Sequence, residues 1–333
     1  MNLVTGATGH IGNVLVRELN HRKQPVRALV LPGEDTSPLH GLQVELVEGD
    51  VLDYQSLLAA FAGADVVYHL AGLISILPGS NPLLESVNIT GTRNVIRAAK
   101  ATSVRRLVYT SSIHALRRVP HGVLIDENVP FDPAHAISTY DHSKARASLD
   151  VLAAVEEGLD AVIACPTGVI GPYDFRRSEM GTLILDCVLQ KPMFYVDGAY
   201  DFVDVRDVAQ GLILAGERGR AGESYILSGQ RITVINLIKT IQAILGKRKV
   251  NFKVPFSLAR LTASFTTLYH RLTKMKPRFT PYSLATIASN AHISHAKATR
   301  ELGYSPRPLH VSLADTVRWL RKHYKTLAGS LQL

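Results

Sequence analysis

Cysteine is nearly absent from this chain, whose 333 residues include only Cys165 and Cys187. Two thiols without metal-ligand spacing cannot form a disulfide framework, so buried free thiols and no metal site are expected. Long apolar runs are missing as well. No stretch is long enough to span a bilayer, and strand-like residues begin at Asn2, leaving no room for a signal peptide. A cytoplasmic protein without stable membrane insertion is therefore expected. Neither a low-complexity tract nor an internal repeat is evident. Acidic residues are outnumbered by basic ones, giving a formal net charge of +9. The cations are scattered, apart from Arg260, Arg271, Lys274, Lys276 and Arg278 around the apolar segment 256–272. Because Thr and Ser interrupt that apolar face, it reads as a solvated helix of a substrate lobe rather than a membrane-lying one. Attraction of phosphorylated small molecules accounts for the remaining charge, and nucleic acid is not an expected partner.

What is present is ordinary globular composition, 46% apolar and 20% charged, in a chain long enough to bury a large core. Strand-like runs at 2–5, 26–31, 44–47, 66–70, 106–111 and 161–165 alternate with helical patterns near 54–61, 83–100 and 140–157. Such alternation predicts an α/β fold, a Rossmann-type doubly wound parallel sheet with right-handed crossovers, whose ligands bind at the carboxyl ends of the strands. After Pro166 prolines punctuate shorter elements. The expected division is a dinucleotide-binding domain over 1–166, with 200–218 returning to it, and a smaller substrate-binding lobe from 167–199 and 219–333.

Thr5-Gly6-Ala7-Thr8-Gly9-His10-Ile11-Gly12 follows the first strand and opens a helix on which Ile11, Val14, Leu15 and Leu19 recur at helical spacing. In that context a diphosphate meets free backbone N–H groups and the positive end of a helix dipole. Gly6 allows the tight turn, Gly9 the close approach of the ligand and Gly12 the contact of helix with sheet.

Far downstream, Tyr140 precedes Lys144 by one helical turn, so both side chains can enter one cleft. A fixed ammonium nearby favours a phenolate and makes tyrosine a usable acid and base. Lys144 is also expected to hold the nicotinamide ribose. Thr110-Ser111-Ser112 ends the strand from Arg106, placing Ser112 where its hydroxyl orients a substrate oxygen toward Tyr140. Ser112, Tyr140 and Lys144 are thus the expected catalytic residues.

These residues resemble the signature of the extended short-chain dehydrogenase/reductase family, the NAD-dependent epimerase/dehydratase group, and the likeness covers nearly the whole chain. His69-Leu70-Ala71-Gly72 resembles the family's turn beside the cofactor, Asp50-Val51 its adenine-contacting pair, and Asn88 with Gly91-Thr92 its structural asparagine motif. Pro166-Thr167-Gly168-Val169-Ile170-Gly171-Pro172 looks like the loop that holds the nicotinamide carboxamide. Phe202 to Ala209 matches a further block, and Leu302-Gly303-Tyr304 with Pro306 resembles the usual ending. The resemblance implies NAD(P) held by Gly6, Thr8, Gly9, His10, Ile11, Gly12, Leu31, Asp50, Val51, Leu70, Ala71, Gly72, Asn88, Thr110, Tyr140, Lys144, Pro166, Thr167, Gly168 and Val169. It also implies a homodimer paired through the helices around Asn88 and Tyr140. The likeness is greatest to the dihydroflavonol-reductase-like and 3β-hydroxysteroid-dehydrogenase-like branch and to hopanoid-associated sugar epimerases.

Departures from the family pattern sharpen this reading. Ile113 and His114 stand where sugar-nucleotide dehydratases carry an Asp-Glu pair, which disfavours dehydration. Ala115-Leu116-Arg117 replaces the Val-Tyr-Gly common in sugar epimerases. At the end of the second strand, where related sequences carry an arginine, this chain has Leu31 followed by Pro32-Gly33-Glu34-Asp35, which tilts cofactor choice toward NAD. The expected function is interconversion of a secondary alcohol and a ketone of a small-molecule substrate by hydride transfer. Epimerisation of a (nucleotide-)sugar through a transient ketone is the alternative, and a non-catalytic dinucleotide sensor a second one. His114, Arg176 and Arg177 are the expected substrate contacts, with Phe175, Met180, Phe194 and Tyr195 around the cleft.

Overall fold

The computed structural model describes residues 1–247, 249–264 and 279–330. Of the basic stretch noted above, Arg271, Lys274, Lys276 and Arg278 lie outside the described residues.

In chain order the strands are β1 (Asn2–Thr5), β2 (Val26–Val30), β3 (Glu45–Glu48), β4 (Val66–His69), β5 (Arg106–Thr110), β6 (Ala161–Pro166), β7 (Gly168–Ile170), β8 (Met193–Tyr195), β9 (Ala199–Asp204), β10 (Ser224–Leu227), β11 (Gln230–Thr233) and β12 (Asn251–Lys253). Seven of them form one sheet in the order β10-β6-β5-β4-β1-β2-β3, parallel throughout. Parallel strands covered on both faces need continuous apolar sequence, and β4 and β6 are buried at every residue. The strand order reverses between β1 and β4, which opens a crevice above their carboxyl ends.

Helices α1 (His10–His21), α2 (Tyr54–Phe61), α3 (Pro82–Glu85), α4 (Thr92–Ala101), α5 (Thr139–Glu156), α6 (Glu179–Val188), α7 (Val205–Arg218) and α8 (Val234–Ile244) follow the same order. Val14, Leu15, Val16 and Leu19 of α1 join Val208, Leu212 and Ile213 of α7 on one face of the sheet, while α2, α4 and α5 bury Leu57, Val95, Ala147 and Val151 on the other. The helix expected near 83–100 is present but changes pitch. A π-helical stretch, Ser86–Gly91, links α3 to α4. Gly91 there comes so close to Val51 that a Cβ would sit 2.7 Å from Cγ2. The wider turn also carries Asn88 inward, a use of π turns that recurs at functional sites.

Past β6 the chain builds a second layer. β7, β9 and β11 pair as a three-stranded sheet, and α6, α8 and the helix Leu309–Ser330 bury Ile184, Leu237, Ile238, Leu313 and Val317 against it. The division expected from sequence needs one correction. β10, which that division assigns to the smaller lobe, pairs in parallel with β6 as the seventh strand of the main sheet. Its sequence, Ser-Tyr-Ile-Leu, is too short to reveal its partner. The helix Ala296–Leu302 ends on Gly303 at φ 77°, a left-handed cap, and delivers the buried Tyr304, whose hydroxyl donates to Ser228 O at 3.1 Å. Both cysteines are buried and unpaired with each other. No described helix is long and apolar enough to cross a membrane.

Candidate active site

The parallel register brings the ends of β1, β4, β5 and β6 to one edge, so the glycine turn, 70–72, Ser111-Ser112 and Thr167 meet there. Gly6 takes φ 66°, a left-handed conformation that glycine adopts at little cost. A Cβ on Gly6 would lie 2.7 Å from Ala71 N, and one on Gly12 would lie 2.1 Å from Gly6 O. Backbone therefore fills the space that side chains would need. Helix α1 begins after Gly9 without a side-chain cap and with no acidic residue in its first turn, leaving its positive end for an anion. His10 and Ile11, expected at the cofactor, are half-buried in that first turn. His10 Nε2 contacts Pro172 O at 3.0 Å and Asn13 Nδ2 donates to Tyr173 O at 3.1 Å, tying the loop after β7 to the start of α1.

Ser112, Tyr140 and Lys144 come together at the same edge, all buried. Ser138 caps α5 by accepting from Asp141 N at 3.0 Å, so Tyr140 lies in the first turn and Lys144 one turn later. Ser112 Oγ accepts from His114 N at 3.2 Å and lies close enough to the Tyr140 hydroxyl to act on its pKa. Burial pushes the Tyr140 hydroxyl up to about 12, and the nearby Ser112 hydroxyl pulls against that rise. This corrects the expectation that Lys144 draws Tyr140 toward phenolate. The ammonium donates instead to Thr110 O at 2.8 Å, and burial brings Lys144 down to about 8. Tyr140 is accordingly a protonated phenol at neutral pH, set to donate to a substrate oxygen.

These groups fit a nicotinamide dinucleotide. The glycine cradle has no room for a side chain. Thr110 Oγ1, beside the Lys144 acceptor, is a buried oxygen without a hydrogen-bond partner among the described residues. A Cβ on Gly72 would stand 3.5 Å from Lys144 Nζ, so Gly72 keeps the approach to that ammonium clear.

A buried chain of polar groups fixes the floor of the site. Thr5 Oγ1 accepts from Leu70 N at 3.2 Å and Ala71 N at 3.1 Å, and it meets His69 Nδ1 at 2.8 Å. His69 Nε2 lies 3.0 Å from Thr92 Oγ1, whose hydroxyl donates to Asn88 O at 2.7 Å. Since that hydroxyl proton is committed, Nε2 carries the imidazole proton and Nδ1 accepts from Thr5. Burial and the Lys144 charge hold His69 down to about 3, against 6.5 for a free histidine. The unfolded chain thus binds the extra proton between those two values. Stability is full above the free value and declines as pH falls toward about 3, by up to about 1.4 kcal/mol per pH unit from this residue. Urea unfolding near neutral and near pH ~4 should show a smaller acid loss in His69→Asn than in the wild type; equal losses would contradict this role.

Other expected residues have more local duties. Asn88 Oδ1 accepts from Leu73 N at 2.8 Å, and its Nδ2 donates to Leu73 O at 3.0 Å and to Ser143 Oγ at 2.9 Å. It therefore pins the loop after β4 to α5 instead of presenting its amide to the cleft. Asp50 Oδ1 accepts from Leu52 N at 2.9 Å and Val51 is buried, shaping the turn after β3. Leu31 is exposed at the end of β2. Thr167 spends its hydroxyl on Asp201 Oδ1 at 2.7 Å, while Pro166, Gly168 and Val169 carry the chain across the sheet edge into β7.

The expected substrate contacts divide. His114 faces the site beside Ser112, but its Nε2 meets the Tyr200 hydroxyl at 2.6 Å and its ring packs on Tyr282 at 5.8 Å. The Tyr282 hydroxyl donates to Asp141 Oδ1 at 2.7 Å. Tyr200, Tyr282 and Asp141 thus form a polar wall around Tyr140. Sequence reasoning missed it because only Asp141 adjoins a recognisable motif. Arg176 lies away from this wall, donating to Thr8 Oγ1 at 2.7 Å on the glycine turn, a correction to its expected place at the substrate. Arg177 sits near His323, whose pKa is lowered by burial and further by the Arg177 charge. Phe175 packs edge-on to Trp319 at 5.3 Å, and Phe194 stacks on Phe252 at 5.3 Å. Met180 and Tyr195 pack against the core of the second layer. Among the described residues no cluster of His, Cys, Asp or Glu could hold a metal ion.

A doubly wound parallel sheet with a glycine turn at its crevice and a buried Ser-Tyr-Lys group beside it defines a class, the dinucleotide-dependent α/β enzymes. Residues 2–228 match the NAD-dependent epimerase/dehydratase family, and the chain belongs to it. It is 35% identical to sterol demethylase protein B of Methylococcus capsulatus, over 96% of this chain and 98% of that one. It is 30% identical to a putative dihydroflavonol 4-reductase of Synechocystis, over 96% and 94% of the two chains. The crystal structure of gox2253 superposes with a TM-score of 0.85 at 35% identity, covering 97% of this chain and 98% of that one. The protein is an NAD-dependent enzyme of the extended short-chain dehydrogenase/reductase type.

Proposed function

We propose that this enzyme interconverts a secondary alcohol and a ketone on a large apolar substrate, with Ser112, Tyr140 and Lys144 as its catalytic group. The observation that carries the reading is the buried Ser112 and Tyr140 pair with Lys144 one turn away at the sheet's carboxyl edge. Bound dinucleotide supplies the hydride acceptor or donor. Tyr140 gives its proton to the carbonyl oxygen during reduction and takes it back during oxidation. Ser112 fixes that oxygen, and Lys144, anchored to Thr110 O, holds the ribose side of the site.

Apolar surroundings support the substrate class. Leu73, Ile74 and Ile137 are exposed on segments next to Tyr140, and the hydrogen bond from Thr139 Oγ1 to Gly79 O at 3.1 Å keeps the 73–81 loop against α5. Beside His114, Ile113, Leu116, Ile125 and Ile293 line a recess together with Arg117, Arg118, Ser289 and Asn290. The exposed apolar side chains of the 73–81 loop offer a sugar nucleotide no polar partner, and they carry the preference. The names of two relatives, a sterol demethylase protein and a dihydroflavonol reductase, point the same way.

Within this reading, 1–166 together with α7 and β10 hold the dinucleotide and the remaining second layer shapes the substrate end. The protein acts in the cytoplasm, as the two unpaired thiols suit, and pairs as a homodimer through the α4 and α5 face. Sedimentation would test the pairing. The activity is tested by following nicotinamide absorbance with steroid alcohols, fused-ring ketones and sugar nucleotides. Net cofactor conversion with a fused-ring substrate is expected. Epimerised sugar without net conversion would favour the alternative instead, and binding without any turnover would favour a sensor.

A further inference from the structure

We propose that the surface formed by β8, β12 and the helix α9 (Phe256–Ser264) docks on an anionic lipid bilayer. The contact is peripheral. Apolar side chains enter the headgroup boundary, and the lysines beside them meet lipid phosphates.

The charge of the chain is unevenly divided. No acidic residue occurs between Glu223 and Glu301. Residues 224–300 hold 13 of the 37 lysines and arginines and none of the 28 acidic residues, whereas the rest of the chain sets 24 cations against 28 acids. Within that stretch Lys297 and Arg300 pair with Glu223 and Glu301. Lys247, Lys249, Lys253 and Arg260 lie instead on β12, beside it or on α9, and all are exposed. Asp186 and Asp197 are paired with Lys191 and Lys253, and Lys249 donates to a backbone carbonyl, that of Gln190. The face therefore keeps a positive excess.

Beside these cations, large apolar side chains point outward. β8 and β12 pair in parallel with Phe194 opposite Phe252, and the two rings stack at 5.3 Å while remaining 46% and 47% exposed. Val250 and Phe256 are exposed on either side of β12. In α9 the usual order of a core-covering helix is inverted. Ala259 and Ala263 are buried with Val196 and Leu284, whereas Leu258 and Leu261 are 50% and 59% exposed. At about 100° per residue the leucines stand away from the alanines, with Ser257 and Thr262 to either side. Those two polar residues, which suggested a solvated helix, thus frame a leucine pair instead of interrupting it. Gathered apolar residues of this kind mark an interaction surface.

Anionic lipid satisfies both halves of the surface at once, since phosphates match the lysines and acyl chains receive the phenyl rings and leucines. Nucleic acid would leave the leucines without a partner. A two-fold pairing of this face would set its cations against their own copies. The face also adjoins the substrate end. Leu284, packed with Ala259, belongs to the helix Pro281–Ile287, whose Tyr282 reaches Asp141 next to Tyr140. The binding claim itself does not depend on the chemistry proposed for Ser112, Tyr140 and Lys144.

Vesicle flotation of the full chain is the test. Binding to phosphatidylglycerol-containing vesicles should exceed binding to pure phosphatidylcholine by at least about tenfold and should weaken with salt. Lys247→Glu combined with Lys249→Glu should lower the partition coefficient by about tenfold or more. Leu258→Ser combined with Leu261→Ser should lower it by about tenfold while keeping the salt dependence. All four side chains are exposed, so melting temperature and NADH affinity should match the wild type in both variants. Absence of vesicle binding, equal binding to the two lipids, or an unchanged partition coefficient in either variant would overturn the proposal. So would sedimentation showing that the leucine pair holds two copies of the chain together. Turnover without vesicle binding would leave the oxidoreductase reading standing, and vesicle binding without turnover would sink only that reading.

Discussion

Tyr140→Phe is expected to lower turnover by about 10²- to 10⁴-fold while leaving the dissociation constant for the dinucleotide within about twofold. Phenylalanine keeps the buried ring and its packing, so α5 and the Lys144 anchor at Thr110 O stay in place. What disappears is the buried phenol beside Ser112, which is protonated at neutral pH. Tyr200 cannot substitute, because its hydroxyl is bonded to His114 and burial raises its pKa further. Loss of one buried hydroxyl changes stability by about 1 kcal/mol, too little to explain a large kinetic effect. Stopped-flow measurement of the hydride step together with a binding titration separates the two contributions. Near wild-type turnover in this variant would remove Tyr140 from the chemistry.

Gly12→Ala is expected to weaken dinucleotide binding by at least about a hundredfold and to cost about 1–3 kcal/mol of stability. The added methyl would meet Gly6 O at 2.1 Å and Ala7 Cα at 2.8 Å. Both are backbone atoms, so no rotamer change relieves the contact. Relief requires the start of α1 to move away from the turn, and that displaces the N–H groups meant for the diphosphate. Gly9→Ala supplies a contrast. Its methyl would stand 3.2 Å from Gly6 O, a contact that small adjustments absorb. Its stability should therefore change little, while the methyl stands where the diphosphate must approach. Thermal melts and NADH titration of both variants check the pair. Unimpaired binding in Gly12→Ala would mean that the turn is not the diphosphate site.

Much of this site is legible in the sequence because its signals are local. Three glycines between a strand and a helix specify a turn, and a tyrosine one turn before a lysine specifies a shared helix face. Parallel register then brings these elements to one edge without further information. The missing parts depend on contacts between distant segments. Nothing near Arg176 announces that its loop is tied to α1 by His10 and Asn13, so the arginine was expected at the substrate. Asn88 belongs to a recognisable motif, yet its bonds to Leu73 and Ser143 follow from a π turn that periodicity does not reveal. His114 is expected at the substrate, whereas the Tyr200 hydroxyl that occupies its Nε2 comes from β9 and is not announced by the sequence around His114. The Tyr140 correction has the same origin. Helical spacing places Lys144 beside it, but spacing carries no information about the Thr110 carbonyl that accepts a hydrogen bond from the ammonium.

A crystal structure of the NAD complex tests the central claim most directly. The account predicts the diphosphate on the backbone of Gly6 to Gly12, the nicotinamide ribose within hydrogen-bonding reach of Lys144, and the ring beside the Ser112 and Tyr140 hydroxyls. A dinucleotide bound elsewhere, or one whose nicotinamide lies beyond contact with Tyr140, would contradict it.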